Sequence, residues 1–193
     1  AAEAARELEA LGHEVVEDVP AWDDDSFGSS WATFAAGTCQ HLVRVLERLH
    51  GRPVDPDQLE PATRAWLVDT PPVLLVDYLE AAERLWAFGR RVQTGWGHDD
   101  VLLTPTLTRL PAPVGIESKP GVTSDAARFS AFVRIWNVTG QPAISLPFAE
   151  TDAGIPVGVQ LVGAHGCDDV LLGVAAQLEA AAGWKPARRV AEP

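Results

Sequence analysis

The sequence predicts a layered sheet protein, α/β or α+β in class, with a helix-rich first half. Three observations predict it. Residues 30–50 and 73–94 place apolar side chains at helical spacing. Residues 100–104, 143–147 and 156–162 are short, mostly apolar runs between turn residues, the pattern of buried strands. After Asp168-Asp169 the run VLLGVAAQLEAAAG returns to a helical pattern and stops at Gly183, so helices and strands alternate in the second half.

Taken in order, residues 1–11 read as an amphipathic helix with Ala5, Leu8 and Leu11 on one side and Gly12 at its C-terminal cap. HEVVEDV, 13–19, alternates and is β-branched, so a strand is expected up to Pro20. Asp23-Asp24-Asp25 reads as a solvated loop or a helix entry. A long helix is then expected from Ser30 to His50, with Gly28-Ser29-Ser30 serving as its N-terminal cap. Gly51-Arg52-Pro53 ends that helix, Pro61 opens a short one, and 73–94 forms the next. The strand 100–104 runs into Thr104-Pro105-Thr106 and a proline-rich loop. Ser124 to Trp136 is expected as a helix with Phe129, Phe132 and Val133 inward. Two strands joined by the turn ETDAGIP make a hairpin. The organisation expected is a single partial domain over 1–193, helical over 20–95, with sheet and helices over 100–183.

Charge narrows the partners. Fifteen basic and 27 acidic residues give a formal net charge of −12, which argues against nonspecific binding to nucleic acid or anionic lipid. Two separated cysteines, Cys39 and Cys167, make no disulfide framework, and a cytoplasmic setting is expected. No signal peptide pattern or membrane-length apolar run is present, so no membrane partner is expected. The chain has no methionine and opens inside a helical pattern, which leads us to expect a piece of a longer protein.

The residues do not assemble a catalytic set. G-x-S-x-G, the P-loop and G-x-G-x-x-G are absent, so neither a nucleophile elbow nor a phosphate cradle is expected. His98-Asp99-Asp100 reads as a loop before a strand, without the companion spacing of a metal site. Cys39 and His41 lie two apart on a helix and do not share a face. A serine hydrolase with a lysine base needs that amine buried, and the two lysines, Lys119 and Lys185, lie in a turn and near the C-terminus. No catalytic residue, metal or cofactor is expected.

WNVTGQPAISLPF, 136–148, puts a Gly/Pro-stiffened turn before a strand. It reads either as a corner of the scaffold or as a substrate contact. As a corner, Gly140 takes a positive φ, Pro142 removes an unpaired N–H and Asn137 pairs buried backbone groups.

NVTGQPAISLP (137–147), GIPVGVQLVG (154–163) and Leu-Leu-x-x-Ala-Ala-x-Leu-Glu (171–179) together resemble the C-terminal part of the amidase signature family. LLTPTLTRLPAPVG (102–115) and LEALGHEVVEDVP (8–20) fit the same family in the same order, so the resemblance covers the chain from its start. LEAAAGWKPARR and NVTGQPA look most like the subgroup that includes 6-aminohexanoate cyclic-dimer hydrolases. The resemblance implies an α/β class, a mixed-sheet α/β/α fold, and hydrolysis of carboxamide C–N bonds through an acyl-enzyme. The family's serine, cis-serine and lysine triad matches no position here, so this chain is expected to be catalytically empty.

Carried over from the resemblance are pocket positions: Trp136, Asn137 and Thr139, with Gly140, in the turn into the sheet; Thr104 and Thr106 at a strand end; and Cys39 in a helical wall of the pocket. Cys39 read from the residues alone is a buried core thiol. The glutamine-hydrolysing subunit of the tRNA-dependent amidotransferase has an aspartate where Ser130 stands here, so an uncharged amide is implied rather than glutamine. The partner expected is a small-molecule amide in the full-length protein, with self-association through an uncovered sheet edge or face. The alternative is a non-catalytic binding or assembly module that keeps half of the fold.

Overall fold

The computed structural model describes residues 1–18, 22, 24–67, 69–111, 113, 115 and 129–183. Lys119 and Lys185 lie outside the described residues. The described elements are α1 (Ala2–Ala10), α2 (Phe27–His50), a 3-10 turn (Pro56–Gln58), α3 (Pro61–Leu67), α4 (Leu75–Gln93), β1 (Val101–Pro105), α5 (Arg134–Thr139), β2 (Ala143–Glu150), β3 (Pro156–Gly163) and α6 (Asp168–Ala182). Contacts group them into two units. One combines Ala1–Pro20, Gly95–Leu110 and Ser130–Pro193; the other combines Ala21–Thr94 and Pro111–Phe129.

The first unit is built on a three-stranded sheet of order β1-β3-β2, antiparallel in both ladders. Period-two alternation sorts its side chains onto two faces. Leu103, Leu161 and Ile144 face one another in register, as do Pro105, Val159 and Leu146. This apolar face is covered by Ala4 and Leu8 of α1 and by Leu171, Ala175 and Leu178 of α6. Leu161 and Leu178 are wholly buried, and each such leucine contributes about 1.5–3 kcal/mol through removal from water. Gly163 lets α6 begin close by, since a Cβ there would stand 3.4 Å from both the Cys167 carbonyl and Leu171 Cβ.

The hairpin forms as its residues predict. Thr151 donates its backbone N–H to Ile155 and accepts one from Gly154, whose φ of +74° suits a residue without a Cβ. A bulge between Pro147 and Ala149 places Phe148 as the extra residue of β2.

Two expectations need correction. Residues 13–18 are not a strand. Their alternation reflects one-sided packing, with Val15 against the core and Val16 exposed, and the segment is tied by His13 Nε2 and Gln177 Oε1 at 3.0 Å. Alternation reports burial and says nothing of a ladder partner. The helix expected over 124–136 is also broken: Phe129 is helical, and a turn separates it from α5. Residues 130–133 form a turn in which the Ser130 carbonyl accepts from Val133 and Arg134, and the helix runs from Arg134 to Thr139. Residues 124–128 lie outside the described residues.

The second unit is helical. α2 starts at Phe27 instead of Ser30, so Ser29 and Ser30 sit in its first turn and do not cap it. Asp24 organises the entry by accepting from the Ser26 N–H at 2.9 Å, from Ser26 Oγ and from Arg91 of α4. Arg91 also lies over the Phe88 ring, and Phe88 meets Phe27 with centroids 4.7 Å apart. Further along, α2 and α4 approach at Gly37, where a Cβ would stand 2.7 Å from the Tyr78 ring. Gln40 holds the segment before α4 from both sides, donating to the Pro71 carbonyl and accepting from the Val73 N–H, each at 3.0 Å. Among the described residues no helix is long and apolar enough to cross a membrane.

Hydrogen bonding from Ser26, and then the Arg91 guanidinium, hold Asp24 below the usual carboxylate range. A lowered native pKa stabilises the fold above the unfolded-state value of about 3.9, and that contribution is lost as pH falls through the native value. Asp24→Asn is therefore expected to be less stable than wild type at neutral pH. The two should converge in acid, as read by denaturant titration across pH; parallel profiles would refute this.

Candidate functional site

The second face of the sheet carries a row of polar side chains beside the apolar row of Leu102, Val162 and Ala143. Thr104 of β1, Gln160 of β3 and Ser145 of β2 lie in register across it. Gln160 is buried, Thr104 half-buried and Ser145 exposed, so the row runs from the interior to a solvent-facing lip. Gln160 Nε2 donates to Thr104 Oγ1 at 3.2 Å and to the Phe132 carbonyl at 2.8 Å. One residue past β1, Thr106 donates its N–H to the Gly158 carbonyl, and its hydroxyl lies 2.7 Å from Ser145 Oγ. Gly158 makes that pairing possible: a Cβ there would sit 2.9 Å from Thr106 Oγ1 and 3.1 Å from Ser145 Oγ.

The 136–142 segment leads onto this sheet through α5. Gly140 takes a φ of +72°, as the corner reading requires, and donates to the Trp136 carbonyl to close the helix. Trp136 is buried and meets Trp96 edge-on at 6.4 Å. Thr139 is buried too, with its hydroxyl accepting the Gln141 N–H at 3.3 Å. Pairing of buried backbone falls to Gln141, whose Nε2 donates to the Gly163 carbonyl at 3.0 Å, while the Gly163 N–H goes to Pro142. Asn137 does not fill the role assigned to it: it is exposed, and its amide reaches only the Val133 carbonyl at 3.5 Å.

Of the pocket positions carried over from the resemblance, the structure brings Thr104 and Thr106 together on one polar face. It places Trp136 and Thr139 in the interior of α5, and Asn137 at its surface. Cys39 is a half-buried free thiol on α2, in the helical unit. Sequence reasoning missed Ser145 and Gln160. Their signal is a polar residue alternating into an apolar strand, and it becomes informative only when the three strands are in register.

Other candidates are weaker. His98 lies against Asp99 at 2.7 Å, and that carboxylate raises its pKa, but both are exposed. No group of three or more metal-ligating side chains occurs among the described residues. The helical unit has a half-open cavity of about 370 Å³ lined by Ser30, Thr33, Val73, Asp77, Glu80 and Arg84. Ser30 is buried there, and its hydroxyl has no hydrogen-bond partner among the described residues.

The sequence profile of the Amidase family matches residues 1–172. The chain belongs to the amidase family. It is 34% identical to the 6-aminohexanoate-cyclic-dimer hydrolase of Pseudomonas sp. (strain NK87) over 193 aligned positions, covering 94% of this chain and 39% of that protein. A putative amidase, AmiC, of Mycobacterium tuberculosis is 36% identical over 184 positions, 92% of this chain and 38% of the relative. The solved structure of 6-aminohexanoate cyclic dimer hydrolase complexed with substrate superposes with a TM-score of 0.82 at 32% identity, covering 95% of this chain and 40% of that one. The α/β fold class expected from the resemblance is thereby shown. The chain spans about 39% of the length of the curated hydrolase it matches.

Gly158→Ala should force the Thr106 and Ser145 hydroxyls apart and cost about 1–3 kcal/mol, as overpacking does. Ser145→Ala, which removes an exposed partner, should cost no more than about 1.5 kcal/mol. Denaturant titration reads both, and a Gly158→Ala variant as stable as wild type would remove the close approach as a constraint.

Proposed function

We propose that this chain is the C-terminal portion of a carboxamide hydrolase, in which it supplies sheet, helices and one wall of the substrate cleft. The observation that carries the proposal is the pairing of 34% identity over 94% of the chain with a TM-score of 0.82, both to 6-aminohexanoate-cyclic-dimer hydrolases. The serine, cis-serine and lysine that form the acyl-enzyme lie in a segment outside these 193 residues. The polar face supports the reading chemically. Thr104, Thr106, Ser145 and Gln160 are neutral hydrogen-bonding groups, suited to an uncharged amide, whose carbonyl accepts and whose N–H donates. Ser130 in place of a carboxylate removes the partner that a substrate ammonium needs, so alkyl or aryl amides are favoured over glutamine.

The test is hydrolysis of a small aryl amide and of a 6-aminohexanoate oligomer by the full-length polypeptide beside the 193 residues alone. Turnover only by the full-length polypeptide is expected. Turnover by these residues alone would overturn the assignment of the triad to another segment.

The proposal extends to the sheet edges. β1 and β2 each pair only with β3 among the described residues, leaving an outer edge on both. Uncovered edges template further pairing. Produced alone, the 193 residues are expected to self-associate, whereas the longer polypeptide covers these edges itself. Light scattering that finds a stable monomer of the isolated chain would refute this.

A further inference from the structure

We infer that Gln160 is a positioning residue that fixes the Thr104 hydroxyl as a hydrogen-bond donor to the carbonyl oxygen of the substrate amide. The inference rests on the reading of the chain as part of an amide hydrolase and adds the residue that orients its cleft wall. A carboxamide NH₂ has two protons, and both are used here. One reaches Thr104 Oγ1 at 3.2 Å and the other the Phe132 carbonyl at 2.8 Å.

The consequence for Thr104 follows from what a hydroxyl can do. It has one proton and two lone pairs. Its oxygen already accepts from Gln160, and its own proton has no acceptor among the described residues. The rotor is thus set with the O–H directed away from Gln160. Thr104 is half-buried, so a ligand at the polar face can take that proton. A carbonyl oxygen is the matching acceptor, and an ammonium, which only donates, is not.

The bond to Phe132 gives Gln160 a second task. The Phe132 carbonyl lies in the turn 130–133 that leads into α5, and this turn contains Ser130. A single buried amide, 4% exposed, therefore ties the strand end bearing Thr104 to the turn bearing Ser130. Displacement of one displaces the other. A side chain of similar length without the NH₂ fills the space and releases both.

The experiment is a double-mutant cycle in the full-length polypeptide with Thr104→Val, Gln160→Met and the pair. Thr104→Ser serves as the conservative control and thermal melting as a check on folding. The probes are acetanilide and the cyclic dimer of 6-aminohexanoate, with KM read where the amide is turned over and Kd by calorimetry where it is only bound. Each single substitution is expected to weaken binding about tenfold, the value of one hydrogen bond lost. The double variant should be no weaker than Thr104→Val, and Thr104→Ser should bind near the wild-type value.

If Thr104→Val binds as wild type does, or if the two losses multiply, the inference is overturned while the proposed function stands. Should Gln160→Met not fold, Gln160→Ser, which is too short to reach Thr104, takes its place in the cycle. Wild type that binds either amide without hydrolysing it would overturn the proposed chemistry and leave the inference to be decided on Kd. Wild type that neither binds nor hydrolyses either probe would overturn both.

Discussion

The antiparallel registration of β3 between β1 and β2 is the constraint on which the rest of the sheet unit depends. β3 is the strand that both others pair with, so its alternation decides what each face of the sheet is made of. Val159 and Leu161 point to the helices, while Gly158 and Gln160 point to the polar side. A slip of one residue would exchange the two sets. It would put Gln160 among Leu8, Leu171 and Leu178, where an unpaired amide is costly, and take Val159 and Leu161 out of the core. The apolar core thus fixes the position of the polar row, although no residue of that row belongs to the core.

Registration also needs the ends of the strands held. At one end, Gly154 closes the hairpin with a backbone that other residues adopt only under strain. At the other, Gly140 stops α5, Gln141 pairs with the Gly163 carbonyl, and Gly163 returns its N–H to Pro142. The stretch 136–148 is therefore a corner that also positions a site: its backbone is consumed by the fold, and the consumption delivers β2 with Ser145 on the polar face. Its most conspicuous side chains, Trp136 and Thr139, are buried.

How much of this could be read from the sequence depends on the range of the interaction involved. β1, the hairpin and α6 are visible because local alternation, turn residues and the Gly183 stop all agree. At 13–18 the same alternation is present without a ladder, because one-sided packing on a core gives a strand's pattern without a strand's partners. The helix read over 124–136 is broken where it is described, since residues 130–133 form a turn in which two N–H groups share the Ser130 carbonyl before α5 begins. Thr104 and Thr106 were accessible through a resemblance to known amidases. Ser145 and Gln160 were not, because a glutamine inside PVGVQLVG acquires meaning only from what stands opposite, fifteen residues back along the hairpin for Ser145 and in a different strand for Thr104.

The polar row also limits the chemistry that the chain can contribute. Its groups are neutral, and they already bond to one another: Thr106 with Ser145, Gln160 with Thr104 and Phe132. Such a wall can orient a carbonyl or an amide N–H, and it can reject a ligand that brings a charge without a counter-ion, because an unpaired charge is costly to desolvate. It cannot activate a nucleophile, which requires a base of suitable pKa within hydrogen-bond reach. Under the proposed function, specificity and bond cleavage are separate contributions from separate parts of the polypeptide. Substitutions in Thr104, Ser145 or Gln160 belong to the first contribution, so their effect should include a change in which amide is bound.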